Sequence, residues 1–146
     1  MNNRKCKNCG ESIFSSEGVL AENHTILKER RPEGIWLRVY CLYKLCEVHT
    51  EEGTVHAALL YDELFEKAWS GLSPAEVMES KTGPHWDRIN SCDLSNPLLF
   101  FPSGKLADGY HRLAKAALDE VKILNYKIIM KWEDAIPAIV YEEIQK

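Results

Sequence analysis

The chain has 146 residues, of which 45% are hydrophobic and 27% are charged, and its formal net charge is −4. This length and composition are typical of a soluble globular protein with one domain, or with one domain and a short appendage. The 18 basic residues are dispersed, which argues against a nucleic-acid partner. No apolar run reaches the roughly 18 residues of a membrane span, which argues against a membrane partner.

The cysteines are expected to be thiols or metal ligands. The N-terminal residues Met1 to Cys6 lack the apolar region of a signal peptide, which predicts a cytoplasmic protein. Five cysteines, an odd number, in a reducing compartment do not predict disulfides.

Cys6-x-x-Cys9-Gly10 has the form of a zinc knuckle, in which two thiolates hold one side of a tetrahedral structural Zn²⁺. The predicted metal ligands are Cys6, Cys9, Cys41 and Cys46, with His49 and His24 in reserve. Ordinary thiols are the main alternative. A redox-active pair is a further one, but it normally lies between a strand and a helix of a larger fold. Bound zinc would hold residues 1–50 together, because that segment is too short to build much core.

Strands and helices are predicted to alternate through the first half of the chain. Residues 35–43 are rich in aromatic and branched side chains and predict a strand. Val55 to Trp69 has apolar residues at the spacing of an amphipathic helix, and Gly71 follows as its C-terminal cap. Ser73-Pro74 opens the next unit, and Thr82-Gly83-Pro84 is a turn.

The second half continues the alternation. The predicted elements are a buried strand at 98–101, a tight turn at 102–105, a return strand at 106–107, a helix from Tyr110 to about Glu120, a strand at 121–130 and a last short helix at 139–145. The helix would place Leu113, Ala114, Ala117 and Leu118 on one face. The fold class is therefore predicted to be mixed α+β.

The segment Asp108-Gly109-Tyr110-His111-Arg112 leads from a strand into a helix and is predicted to bind an anion. The first backbone N–H groups of a helix have no intrahelical partner and carry the positive end of its dipole. Gly109 permits a sharp turn and a close approach of phosphate. Arg112 offers a planar fork for phosphate oxygens, and His111 can donate to a phosphate or move a proton.

Other residues of this segment have less specific roles. Asp108 is expected to cap the helix, or to hold a metal ion or a ribose hydroxyl. Lys115, one turn further on, is a candidate for an additional phosphate contact. The simpler interpretation is an ordinary turn and cap followed by solvated His and Arg side chains.

The run from Asn96 to Ala116, with the five-residue turn inside it, resembles the signature of the ParB/sulfiredoxin superfamily. His85-Trp86-Asp87-Arg88-Ile89 and Asp93 to Pro97 resemble a stand-alone bacterial ParB-like subgroup. The resemblance extends over roughly Ser73 to Met130, under half of the chain. It implies a mixed sheet with packed helices, and a turn that binds the phosphates of ATP, ADP or CTP together with Mg²⁺.

The branches of this superfamily imply different chemistry. Sulfiredoxins carry a catalytic cysteine where this chain has Tyr110, which argues against sulfinic-acid repair. Partition proteins bind CTP at this turn, but this chain ends too soon after it to hold their helix-turn-helix domain. Free-serine kinases have Asp-Gly-His-His-Arg and an upstream glutamate base, for which Glu79, or alternatively Glu76, is the candidate here. The segment 74–79 is then expected to be the first strand of that domain.

Two further positions upstream of the turn carry predictions of their own. The pair His85-Trp86 is expected to line a lid or pocket wall, or, more simply, Trp86 is expected to anchor a loop to the core. Cys92 has no partner motif and is expected to be a buried thiol.

Together these patterns predict a small cysteine-bearing, zinc-ribbon-like module at residues 1–53 and a ParB/sulfiredoxin-like domain at 54–146. The predicted function is nucleotide binding with phosphoryl transfer or nucleotide hydrolysis, as in a kinase or hydrolase acting on an unidentified small-molecule or protein substrate. The alternative is a module that senses a nucleotide, or contacts a protein or nucleic acid, without turnover.

Overall fold

A computed structural model of the chain describes residues 5–14, 20–21, 23–69 and 71–145. The start of the segment used for the signal-peptide prediction, residues 1–4, lies outside this part. In chain order the elements are β1 (His24–Arg31), β2 (Gly34–Cys41), α1 (Leu42–Leu45), β3 (Thr50–His56), a 3₁₀ helix (Ala57–Phe65), α2 (Pro74–Ser80), α3 (Pro84–Ser91), β4 (Leu98–Phe100), β5 (Leu106–Asp108), α4 (Tyr110–Leu118), β6 (Ile123–Ile129), α5 (Trp132–Ala135), a second 3₁₀ helix (Ile136–Ala138) and β7 (Ile139–Gln145). These elements confirm the mixed α+β class that the sequence predicted. Among the described residues, no helix combines the length and apolar character that a membrane crossing requires.

The chain divides into two compact units. Unit 1 combines residues 1–49 with 129–146, and unit 2 comprises residues 50–128. The predicted division placed everything after residue 53 in one domain, whereas the contacts assign the C-terminal segment to unit 1. The physical reason is strand pairing, since β7 forms an antiparallel ladder with β2.

The sheet of unit 1 has the strand order β1-β2-β7. β1 and β2 form a hairpin whose register runs without a break from Arg31 opposite Gly34 to His24 opposite Cys41. A Cβ on Gly34 would lie 2.6 Å from the backbone oxygen of Gln145, so glycine is required where β7 approaches the turn. The predicted helix at 139–145 is wrong, because its branched and aromatic residues pair with the edge of β2 as a strand.

The sheet of unit 2 has the strand order β3-β6-β4-β5. β4 pairs antiparallel with β5 and parallel with β6. As predicted, 98–100 is a buried strand, 106–108 is a short return strand and a helix follows at Tyr110. The buried face of α4 consists of Leu113, Ala114 and Ala116, whereas Leu118, predicted to face the core, is 41% exposed.

The segment from Val55 to Trp69 differs from its prediction as a single amphipathic helix. Residues up to His56 belong to β3, and a 3₁₀ helix covers Ala57–Phe65. Leu59 and Phe65 are 77% and 70% exposed, so the apolar residues do not form the one buried face that their α-helical spacing predicted. Gly71 has φ +91° and lies between the bridge partners Trp69 and Leu72, rather than capping that helix.

Candidate functional site

In unit 1, Cys6 and Cys9 lie on a tight turn that holds both sulfurs toward one point. The Gly10 amide donates to the Cys6 carbonyl at 2.8 Å, and Gly10 has φ +77°. The amides of Asn8 and Cys9 donate to Cys6 Sγ at 3.3 and 3.4 Å. Amide donation to a sulfur stabilises its thiolate form, which is the form that binds metal. This is the knuckle geometry that the Cys-x-x-Cys-Gly sequence predicted.

The β1–β2 hairpin contributes two more ligand-type side chains to the same point. His24 begins β1, Cys41 ends β2, and the two are direct cross-strand partners. The ligand atoms of Cys6, Cys9, His24 and Cys41 all lie within 4.8 Å of one another, and Cys9 Sγ is 3.8 Å from His24 Nε2. Three of the four residues are buried, with Cys6, His24 and Cys41 exposed by 2%, 7% and 0%. This cluster could bind a structural metal.

The fourth member of this cluster corrects the predicted ligand set. Cys46 is exposed at the C-terminal end of α1 and does not belong to the cluster, and His49 is exposed as well. His24, held in reserve, takes the fourth position. The signal in the sequence was the turn at Pro32-Glu33: a hairpin folded there in register places residue 24 opposite residue 41.

The pKa values of Cys6 and Cys41 are shifted in opposite directions. Burial opposes ionisation of Cys6, but hydrogen bonds with His24 and with the amides of Cys9 and Asn8 lower its pKa to about 6. Burial raises the pKa of Cys41 to about 11, and the neighbouring Cys6 adds to this effect. Two thiolates this close repel each other, and a bound cation would offset that repulsion.

In unit 2, the predicted anion turn joins β5 to α4. Asp108 ends β5, Gly109 has φ +119° and ψ 15°, and α4 begins at Tyr110. A Cβ at Gly109 would lie 2.5 Å from Leu98 Cδ2 and 3.2 Å from Arg112 Nη2. The first intrahelical hydrogen bond runs from the Leu113 amide to the Gly109 carbonyl at 2.9 Å. The preceding amides therefore belong to the helix end that attracts anions.

Arg112 lies beside this turn as a mostly buried cation. Its Nη2 is 3.3 Å from Asp108 Oδ2, and the two side chains are 17% and 36% exposed. Its Nε is buried and has no hydrogen-bond partner among the described residues. Charge-assisted pairs are usually shorter, about 2.7–2.9 Å, so Asp108 holds the guanidinium only loosely.

His111 forms a ring cluster with His85 and Trp69. His111 Nε2 and His85 Nδ1 are 2.9 Å apart, which is a hydrogen bond. The Trp69 ring stacks on both imidazoles, with centroids 4.2 Å from His85 and 4.4 Å from His111. The sequence singled out His111, and noted His85 only as a possible part of a lid or pocket wall. Trp69 was predicted only as the end of a helix, and its partners are remote in sequence.

Both imidazoles of this cluster are neutral at pH 7. Burial, together with the neighbouring His85, Arg88 and Arg112, lowers the pKa of His111 to about 4. Burial also lowers the pKa of His85. A neutral imidazole carries one N–H donor and one lone-pair acceptor, so each ring can accept a proton as well as donate one.

The side chains of Tyr110 and Lys115, two residues of the predicted phosphate site, make contacts within the protein. Tyr110 Oη lies 3.4 Å from Glu63 Oε2 and 3.3 Å from the Leu106 carbonyl, and burial raises its pKa. Lys115 Nζ donates to the carbonyls of Asn90 and Cys92 at 3.0 and 3.1 Å. Lys115 therefore holds the C-terminal end of α3, and its predicted contact with phosphate stays a prediction.

The predicted strand at 74–79 is wrong, and this affects the two candidate glutamates. The segment is the helix α2, because Ser73 and Glu76 form a capping box and Pro74 occupies its first turn. A hydrogen bond with Lys67, followed by contacts with Ser73, lowers the pKa of Glu76 to about 2. Glu79 is exposed on the same helix.

Trp86 takes the simpler of its two predicted roles, whereas Cys92, predicted to be a buried thiol, is only partly buried. Trp86 is partly buried and packs on the core of unit 2, as an anchoring residue does. The Cys92 thiol is partly buried and donates to the Ile89 carbonyl at 3.3 Å, and burial raises its pKa.

Comparisons of the chain with protein-family models, with curated proteins and with solved structures found no match. The resemblance of residues 73–130 to the ParB/sulfiredoxin superfamily therefore stays a prediction.

Proposed function

We propose that unit 2 binds the phosphates of a nucleotide at the start of α4 and acts in phosphoryl transfer or nucleotide hydrolysis. The observation that carries this proposal is the placement of three features at one helix end. Gly109 opens the turn with a positive φ, and the Arg112 guanidinium lies beside it. His111 lies in the first turn of α4 and is hydrogen-bonded to His85 at the start of α3. Phosphoryl transfer needs a site that holds the phosphate anion, a positive charge that stabilises it and a group that accepts a proton.

The phosphate oxygens would accept hydrogen bonds from the first amides of α4, as anions do at helix N-termini. Arg112 would supply the positive charge, since its 3.3 Å contact with Asp108 is long enough for a phosphate to compete for the guanidinium. A Cβ at Gly109 would come within 3.2 Å of that guanidinium, so glycine keeps the space beside it open.

The nucleotide is expected to be ATP, ADP or CTP, accompanied by Mg²⁺ because its charged phosphate oxygens need neutralisation. Asp108 is the candidate protein ligand, since its carboxylate lies at the turn and is 36% exposed. Mg²⁺ bound there would polarise the phosphate oxygens. The acceptor would be water, or a hydroxyl of an unidentified small molecule or protein.

A second candidate function is nucleotide sensing without turnover. The surface positions of the two glutamates favour it: Glu79 is exposed on α2, and Glu76 is held by Lys67 and by the capping box. A carboxylate base of the kind that the resemblance implies is therefore not supplied by α2. Product analysis separates the two functions, because sensing requires binding but releases no phosphate and no phosphorylated product.

Calorimetry with ATP, ADP and CTP, each with Mg²⁺, tests the nucleotide proposal. Replacing Arg112 by Ala should weaken binding by about 10- to 100-fold, since a charge-assisted hydrogen bond contributes about 1.5–3 kcal/mol. The exposed Lys122 is the matched control, and Lys122→Ala should bind like the parent chain. Absence of binding by all three nucleotides at millimolar concentration would contradict the proposal.

We propose zinc as the metal of unit 1, with Cys6, Cys9, His24 and Cys41 as ligands. Three thiolates and one imidazole are a donor set typical of structural zinc, whose Zn–S bonds of about 2.3 Å place tetrahedral sulfurs about 3.8 Å apart. The limit of 4.8 Å on the observed separations agrees with this spacing. Four protein ligands leave no open position, so the zinc would tie the knuckle to the hairpin. Metal analysis tests this assignment.

A further inference from the structure

We propose that His85 and His111 form a two-imidazole proton relay for the reaction at the start of α4. This inference rests on the proposed function of unit 2. Its basis is the contact between His85 Nδ1 and His111 Nε2, which are 2.9 Å apart. The remaining nitrogens, His85 Nε2 and His111 Nδ1, have no hydrogen-bond partner within the described part of the chain. We call these two atoms the outer nitrogens.

The hydrogen bond between the rings couples their tautomers. If His85 Nδ1 donates, then His85 Nε2 holds a lone pair and His111 Nδ1 carries a proton. If His111 Nε2 donates instead, the two outer nitrogens exchange these roles. In either case the neutral pair presents one outer acceptor and one outer donor. A proton accepted at one outer nitrogen can therefore be released at the other, when the proton between the rings shifts.

The surroundings keep the pair neutral and its rings in place. Each histidine is the second residue of its helix, His85 in α3 and His111 in α4, and the positive end of a helix dipole disfavours protonation. Positive charge on Arg88 and Arg112 acts on His111 in the same direction. Trp69 stacks on His85 and His111 at interplanar angles of 4° and 15°, which fixes the ring planes.

The reaction balances with water or an alcohol as nucleophile and a nucleoside triphosphate as donor. The attacking oxygen bonds to the γ-phosphorus while the bond from phosphorus to the bridging oxygen breaks, and the nucleoside diphosphate leaves with that electron pair. The nucleophile's proton passes to the outer acceptor nitrogen. The proton between the rings shifts, and the outer donor releases its proton to solvent. The pair is cationic only between uptake and release, and it ends neutral with the roles of its two outer nitrogens exchanged. The reverse exchange with water restores the first tautomer.

Two substitutions at His85 test the relay. His85→Asn keeps a polar atom near the position of Nδ1, which contacts His111, but removes the outer nitrogen. His85→Gln places its amide nearer the outer position and cannot relay a proton. Both variants should bind a non-hydrolysable ATP analogue within about threefold of the parent affinity, while turnover falls about 10²- to 10⁴-fold. In the parent, protonation of the pair should lower turnover at low pH. The residual turnover of both variants should lack this pH dependence.

The outcomes separate the relay from the proposed function. Parent-like turnover with an unchanged pH profile in His85→Asn would overturn the relay and leave nucleotide binding intact. Binding by the parent without release of any product would overturn the relay and favour sensing. No nucleotide binding by the parent would overturn both. If neither variant folds, ¹⁵N NMR of the parent decides: one protonated nitrogen per ring at pH 7 supports the relay, and an imidazolium overturns it.

Discussion

His24 and Cys41 are direct cross-strand partners at the open end of the β1–β2 hairpin. Residues directly opposite in an antiparallel pair have Cβ atoms about 4.5–5.5 Å apart on the same face of the sheet. The hairpin alone therefore brings two metal-ligating side chains close enough to bind the same metal ion. The knuckle adds Cys6 and Cys9, whose positions its own hydrogen bonds determine. The four-residue cluster thus depends on one local turn and one strand register.

The purified protein is expected to contain one zinc per chain. Cys9→Ser should lose most of this metal, because a hydroxyl is a poor zinc ligand and Cys9 belongs to the cluster. Cys46→Ser is the matched control and should retain it, since Cys46 is exposed outside the cluster. Elemental analysis of both variants measures the ratio. Equal zinc loss in the two would contradict the His24-containing ligand set, and a protein without stoichiometric zinc would refute the zinc assignment.

Gly109→Ala is expected to destabilise the protein and to abolish nucleotide binding. The substitution combines a backbone φ of +119°, costing about 1–3 kcal/mol, with a Cβ 2.5 Å from Leu98 Cδ2. Gly104→Ala is the control, because Gly104 has φ +88° but nothing within 4 Å of its added Cβ. Chemical denaturation gives the two free energies of unfolding. An equal loss in both variants would show that the contact with Leu98 adds nothing.

Stability is expected to fall as the pH drops from about 6.5 toward about 4. The His111 pKa is lowered from 6.5 to about 4 in the folded state, by burial and by the adjacent His85, Arg88 and Arg112. Between these values the unfolded chain binds more protons than the folded chain, so acid favours unfolding. The loss from this group is at most about 3 kcal/mol. NMR titration of the histidine ring protons checks it: a His111 pKa near 6.5 in the folded protein contradicts the prediction.

Lys115→Met is expected to lower stability and leave nucleotide affinity unchanged. The ammonium group donates to the carbonyls of Asn90 and Cys92, and each hydrogen bond contributes about 0.5–1.5 kcal/mol. Methionine keeps most of the aliphatic stem, so the change isolates the donor. Thermal unfolding measures the stability and calorimetry the affinity. Weaker nucleotide binding at unchanged stability would instead support the phosphate contact that the sequence predicted for Lys115.

The local elements of unit 2 were largely predictable because their signals are short in range. Asn96-Pro97 before an apolar run, Pro102 to Lys105 as a turn, and Asp108-Gly109 before alanines each encode their own backbone geometry. Prediction failed where strand pairing decided the structure. The segment at 139–145 has a helix-compatible spacing, but the open edge of β2 pairs with it as a strand.

The candidate sites divide in the same way. The sequence by itself determined the knuckle at Cys6 and Cys9 and the helix start at Gly109, because both depend on a few consecutive residues and on glycine's access to positive φ. Only the tertiary structure decided that His24 joins the cluster instead of Cys46, and that His85 and Trp69 surround His111. The physical reason is distance along the chain: such partners meet through strand register and helix packing, which bring together residues that are far apart in the sequence.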